Sequence, residues 1–120
     1  MSIVLVVEDE REIAQTVCEL LREEGHTAIP AGNGEEAMRE LSRAERPCVI
    51  FLDLMMPVMD GWQVLEALRH DAKLSPIPVI VTSAMADAKA RRLAQAIIRK
   101  PYKLDQLLDV VDRFCPPTAN

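Results

Sequence analysis

The sequence predicts a doubly wound α/β domain on a five-stranded parallel sheet, and three observations carry that expectation. Short apolar runs alternate with amphipathic segments along the whole chain, the pattern of repeated β–α units. Four of the runs end in polar groups: IVLVV leads into Glu8 and Asp9, VIFL into Asp53, VIV into Thr82 and Ser83, and Ile97-Ile98-Arg99 into Lys100. The length, 120 residues of which 49% are hydrophobic and 28% charged, suits a single core. In an open parallel sheet the carboxyl ends of the strands share one edge, so these groups converge on one acidic pocket with a cation beside it.

Strands are expected at Ile3 to Val7, around Thr27 to Ile29, at Val49 to Leu52, at Val79 to Val81 and at Ile97 to Arg99. The first helix, roughly Arg11 to Glu24, sets Ile13, Val17, Leu20 and Leu21 on one face and ends before Gly25, whose missing Cβ suits a helix C-terminus. A second helix follows the Gly32-Asn33-Gly34 turn, with Ala37, Met38 and Leu41 inward, and stops before Pro47. The third runs from about Trp62 to His70, after which Leu74-Ser75-Pro76 delivers the chain to the fourth strand. The last carries Leu104, Leu107, Leu108, Val111 and Phe114 at helical spacing, closed by Pro116-Pro117. With no internal repeat or low-complexity tract, residues 1–120 are expected to form one domain with no output domain.

Composition excludes several functions. A net charge of -5 argues against direct nucleic-acid binding, which needs a surplus of Lys and Arg to displace counterions. No apolar run approaches the ~20 residues that span a bilayer and no leader precedes the first strand, so the expected location is the cytoplasm, without membrane contact. Cys18, Cys48 and Cys115 are odd in number, far apart and without metal-ligand spacing; they read as small apolar residues in a reducing compartment. His26 and His70 adjoin turns and read as surface residues. Gly32-x-Gly34 lacks a third glycine and a downstream lysine, so it is a turn rather than a nucleotide loop. Arg91, Arg92, Arg99 and Lys103 read by default as solvated surface, with a basic face for a partner as the alternative.

The strand ends fit hard-metal chemistry. Magnesium takes oxygen ligands in near-octahedral geometry and keeps several waters, so two or three carboxylates and a carbonyl suffice from the protein. Glu8, Asp9 and Asp53 supply the carboxylates. Asp9 alone would read as a helix N-cap, but three acids at two strand ends with a lysine at a third are not explained by capping. The Lys100 ammonium is expected to pair with Asp53 at rest and with phosphoryl oxygens after modification. Thr82 and Ser83 offer hydroxyls beside them, with a local backbone hydrogen bond as their ordinary use.

Taken together, VVEDE, FLDLMMPVMDGW, PVIVTSA and KPY, in that order and spacing, resemble the response-regulator receiver domain of two-component signalling, of the chemotaxis-Y-like kind, over essentially the whole chain. The resemblance implies a flavodoxin-like sheet of order 2-1-3-4-5 with five helices. It implies Asp53 as phospho-acceptor and a magnesium ion, with manganese as substitute, held by Asp9, Asp53, the Met55 carbonyl and, through water, Glu8. Ser83 would be the hydroxyl that follows the phosphoryl group, Thr82 its alternative one register away, and Lys100 the conserved-type lysine, before a cis Pro101. Implied partners are a histidine kinase or histidine phosphotransfer protein, a downstream protein that the sequence does not identify, and a second copy of the chain in a phosphorylation-dependent dimer. The domain would catalyse its own phosphorylation and dephosphorylation without turning over a metabolite.

Three features depart from that family. The segment between Ala84 and Lys100 is several residues short and lacks the customary Gly-Ala turn before the fifth strand, so the fourth helix, roughly Asp87 to Gln95, is shortened and rich in alanine. Ile97 stands where many receivers carry an aromatic switch residue. The rival functions are a pseudo-receiver that binds partners without phosphorylation and an aspartyl-phosphate phosphatase of the haloacid dehalogenase type. The latter would place a second aspartate where this chain has Met55.

Overall fold

The computed structural model describes residues 3–43, 46–83, 88–100 and 102–115, with the backbone alone for Ser83, Ala88, Lys89 and Arg91. The elements run β1 (Ile3–Val7), α1 (Arg11–Glu23), β2 (Thr27–Ala31), α2 (Gly34–Leu41), β3 (Val49–Asp53), α3 (Gly61–Arg69), β4 (Val79–Ser83), α4 (Ala88–Leu93), β5 (Ala96–Arg99) and α5 (Leu104–Phe114). The five strands pair in parallel in the order β2-β1-β3-β4-β5. Of the helices among the described residues, four have eight residues or more and α4 has only six. The sheet therefore carries four full helices and, in fourth place, one of a turn and a half, shorter than the expected Asp87 to Gln95.

Period-two alternation sorts the sheet's side chains into two cores. Leu5, Val7, Ile50, Leu52, Val79 and Val81 pack under α2, α3 and Ala90 of α4. Val4, Val6, Val49, Phe51, Ile80 and Ile98 pack under α1 and α5. Since β1 has β2 on one side and β3 on the other, the connections part at β1 and β3, which opens a crevice at their carboxyl ends. Every residue of β1 and β3 is buried, as expected for strands covered on both faces.

The helix termini follow local chemistry. Gly25, at φ 90°, lets the chain leave α1 in a left-handed turn that a Cβ would oppose. Asn33 caps α2 through Glu36 N, and Asp60 with Gln63 forms a capping box on α3. β2 runs on through Pro30, which an edge strand tolerates because one side of its backbone has no ladder to serve.

Three expectations need correction. Cys48 and Cys115 are joined by a disulfide across 67 residues, so two of the three cysteines are not separate thiols; Cys18 is free and buried. His26 is 4% exposed, not a surface residue, and its ring nitrogen lies 3.3 Å from Asp112 of α5. Leu104 is 40% exposed and lines an open groove with Ile13 and Val17, while Leu107 and Val111 carry the buried face of α5. The reading of His70 stands: it is exposed and meets Glu66 at 2.8 Å. Pro101 lies outside the described residues. No described helix is long and apolar enough to cross a membrane.

Candidate functional site

The crevice at the carboxyl ends of β1 and β3 gathers most of the expected groups. By strand alternation, Glu8 follows Val4 and Val6, Asp53 follows Val49 and Phe51, and Lys100 follows Ile98, so all three lie toward the α1/α5 side. Carboxylate oxygens of Glu8, Asp9 and Asp53 lie within 4.8 Å of one another, with Glu8 and Asp53 buried and Asp9 exposed. Asp9 is not a helix cap: the N-cap position of α1 is Glu10, which makes no side-chain cap bond.

One ammonium serves two of these acids. Lys100 Nζ lies 3.2 Å from Glu8 Oε1 and 3.3 Å from Asp53 Oδ2. The pairing with Asp53 is the expected one, and the pairing with Glu8 was not anticipated. Burial pulls the Lys100 pKa down, but Glu8 and Asp53 outweigh it and the net direction is up. Glu8 is pushed up to about 7, first by burial and then by Asp53, against the Glu10 amide and Lys100. With three carboxylates to one lysine, the pocket is short of positive charge.

Asp53 is fixed from both oxygens. Oδ2 meets Lys100 and Oδ1 accepts the Met55 N–H at 3.2 Å. The Met55 side chain is 75% exposed at the mouth of the site, whereas Met56 is buried and Met59 packs on the core. Of these three, Met55 is the exposed one and the one whose backbone N–H meets Asp53. Val58 holds φ 68°, a costly conformation for a β-branched residue, and Met59 N–H donates to the Pro57 carbonyl across it at 2.8 Å. Gly61 then starts α3 so close to the acceptor strand that a Cβ there would lie 2.5 Å from the Asp53 carbonyl oxygen.

Thr82 is the cross-strand neighbour of Asp53 and is buried, with its hydroxyl donated to the Leu52 carbonyl at 3.5 Å. The bond crosses to the neighbouring strand β3 and is not the local one expected from the sequence. Ser83 ends β4, its side chain lying outside the described atoms. Tyr102 was missed by the sequence argument. Its ring meets Phe51 edge-on at 5.9 Å, and its buried hydroxyl has no hydrogen-bond partner among the described residues. Burial, then Glu8, raise its pKa, with Lys100 opposing. Its position two residues past Lys100, the same parity along the chain, was the available signal.

The donor set fits a hard divalent cation: three converging carboxylates, all oxygen, at the mouth of a site with too little positive charge. Met55 reaches the site through its backbone, while Ala84 to Asp87 lie outside the described residues.

Comparison with known proteins agrees with this arrangement. Residues 4–112 match the family described as the response regulator receiver domain. The sensory transduction protein RegX3 of Mycolicibacterium smegmatis is 35% identical over 114 residues, covering 90% of this chain and 48% of RegX3. Protein PilH of Pseudomonas aeruginosa is 29% identical over 117 residues, covering 93% of this chain and 96% of PilH. The chain thus spans about half of one relative and nearly all of the other. A crystal structure of the signal receiver domain of a signal transduction histidine kinase from Syntrophus aciditrophicus superimposes with a TM-score of 0.86, at 31% identity and with 100% of this chain and 94% of that one covered. The chain belongs to the response-regulator receiver domain family.

Proposed function

We propose that this receiver accepts a phosphoryl group on Asp53 from a phosphohistidine of a histidine kinase or histidine phosphotransfer protein and thereby switches conformation toward a downstream partner. The observation that carries the reading is the buried Asp53 carboxylate, held by Lys100 on one oxygen and the Met55 amide on the other, within an all-oxygen cluster. In the transfer, an Asp53 oxygen forms a bond to phosphorus, the phosphorus–nitrogen bond of the donor breaks, and the imidazole leaves. The work of the chain is positioning and charge neutralisation.

Magnesium, with manganese as substitute, would be held by Asp9, Asp53, the Met55 carbonyl and Glu8, and when bound would neutralise carboxylate and phosphoryl oxygens. Lys100 starts divided between Glu8 and Asp53, so it can turn to the new phosphoryl oxygens while keeping Glu8 as its second partner. Ser83 is the hydroxyl we assign to follow the phosphoryl group, since Thr82 already serves Leu52. The output is a change of conformation, not turnover of a metabolite. We place this receiver in the cytoplasm, with no direct nucleic-acid contact of its own and with phosphorylation-dependent pairing of two copies as one form of output.

Intact-mass analysis after incubation with acetyl phosphate tests the reading. One added phosphoryl group is expected with magnesium, none without it, and none in Asp53→Ala. Label that persists in Asp53→Ala would move the acceptor elsewhere. Absence of any label would leave a phosphorylation-independent binding module, and turnover of a generic aryl phosphate would point to a phosphatase.

A further inference from the structure

The acidic pocket accounts for one end of β3 and for Lys100, but not for the far end of either segment. Cys48 immediately precedes β3 and Cys115 immediately follows α5, and the two are joined with their Cα atoms 5.6 Å apart, an ordinary separation for a disulfide. At the opposite end of β3, Asp53 meets Lys100, four residues before α5 begins, at 3.3 Å. The acceptor strand and the last helix are therefore tied at both ends, by an ion pair above and a covalent bond below.

We propose that Cys48 and Cys115 form a reversible thiol–disulfide exchange site that takes a dithiol reductant as its substrate and sets how firmly α5 is held to the sheet. Both redox states have a place in the fold. Cys48 Sγ lies 3.1 Å from the Ile3 carbonyl oxygen, an acceptor for the thiol once reduced. Cys115 lies in the apolar cluster of Val49, Leu107 and Val111, which houses a small thiol as readily as a disulfide sulfur. Cys18 shares that cluster but is 2% exposed and its thiol is pushed up by burial, so it is a poor nucleophile and takes no part.

Access decides the direction of attack. Cys48 is half-buried while Cys115 is buried, so the reductant's thiolate reaches the Cys48 sulfur. That bond forms as the Cys48–Cys115 bond breaks, and the electron pair and a proton go to Cys115. The reductant's second thiol then displaces Cys48 from the mixed disulfide, so that two electrons and two protons have passed to the protein and the reductant leaves as its own disulfide. In surroundings rich in thiols such a bond is transient and forms under oxidising conditions. After reduction α5 is held by the burial of its apolar face, Leu107 and Val111 foremost, and by the His26–Asp112 contact at 3.3 Å.

The full chain, equilibrated with oxidised glutathione and then alkylated in denaturant, should show one reactive thiol, mapped to Cys18. Dithiothreitol under native conditions should raise the count to three, and oxidised glutathione should return it to one. The oxidised form should melt roughly 10 °C higher. Amide exchange in Leu104–Phe114 should be at least about tenfold slower than in the reduced form. Cys18→Ser should keep both differences and Cys48→Ser should erase them. Three thiols in the oxidised sample, a bond to Cys18 or between chains, reduction only in denaturant, or equal exchange of α5 in the two states would each overturn the proposal.

Discussion

At the carboxyl edge of the sheet three carboxylates share one ammonium and a buried tyrosine hydroxyl lacks a partner among the described residues. At the amino edge the groups are satisfied: Cys48 N–H donates to Ile3, Ile50 N–H to Pro78, Gln95 and Val79 bond each other through two hydrogen bonds, and a disulfide closes the corner. The same five strands feed both edges, so the contrast comes from the residues at their ends. The amino edge supplies stability, and the carboxyl edge gives some of it up for charge that a metal and a phosphoryl group can balance. Each prediction below perturbs the carboxyl edge, where charge and close packing leave the groups unbalanced.

The largest expected effect belongs to Lys100. Lys100→Ala removes the one cation shared by Glu8 and Asp53. Phosphorylation by acetyl phosphate with magnesium should slow by about 10²–10³-fold, the usual loss for removal of one charge-stabilising donor. Time-resolved intact-mass measurements check it. A rate within a few-fold of wild type would show that the acidic edge does not depend on its lysine.

The next effect is on stability against pH. Glu8 has its folded pKa raised to about 7 from 4.5, so the folded state favours the protonated carboxyl. The associated stability is fully present below about pH 4.5 and is lost as pH rises through about 7, amounting to about 3 kcal/mol at ~1.36 kcal/mol per pKa unit. The metal-free protein should therefore melt higher at pH 5 than at pH 8. Glu8→Gln should flatten that difference, as should saturating magnesium, and Asp53→Asn should raise the melting temperature of the metal-free protein at pH 8. Parallel pH profiles for wild type and Glu8→Gln would mean that Glu8 is not the group responsible.

Packing at the carboxyl edge is tightest at Gly61. A Cβ there would meet the Asp53 carbonyl oxygen at 2.5 Å and Leu54 Cα at 2.6 Å, backbone atoms that cannot step aside cheaply. Gly61→Ala should cost about 2 kcal/mol of stability, as overpacking against backbone usually does. It should also weaken magnesium binding, because the strand end that carries Asp53 must shift. Chemical denaturation and metal titration of the variant test both parts.

How much of this was legible in sequence follows from what is local. Apolar runs and turn residues act within a few positions, so the strands, Gly25 and the Asn33 turn could be read directly, and the acids at the strand ends could be gathered by topology. Contacts across 67 and 86 residues leave no local trace. Cys48 with Cys115 and His26 with Asp112 were therefore read as isolated side chains. Glu8 and Tyr102 lie between these cases: two-residue parity put both beside Asp53 and Lys100, but parity gives a face and not a partner. The β4–α4 connection stays with the family resemblance alone.

The smallest expected effect concerns how long the phosphoryl group stays. Hydrolysis needs a water in line with phosphorus, and in receivers the residue two past the acceptor flanks that approach; here it is Met55. Its backbone N–H holds Asp53 at 3.2 Å while its side chain is 75% exposed, so the side chain can change without disturbing the hydrogen bond to the acceptor. A thioether neither donates to a water nor orients it, and its flexible stem can shield the phosphoryl group. Slow self-dephosphorylation is expected for the wild type. Met55→Asn, which offers a donor and an acceptor at the same place, should lose phosphate roughly tenfold faster, a change of only ~1.4 kcal/mol in the barrier. Phosphate-release time courses on the two proteins decide it. Equal rates would mean that Met55 acts through its backbone alone, as a clamp on Asp53 and not as a guard over the phosphoryl group.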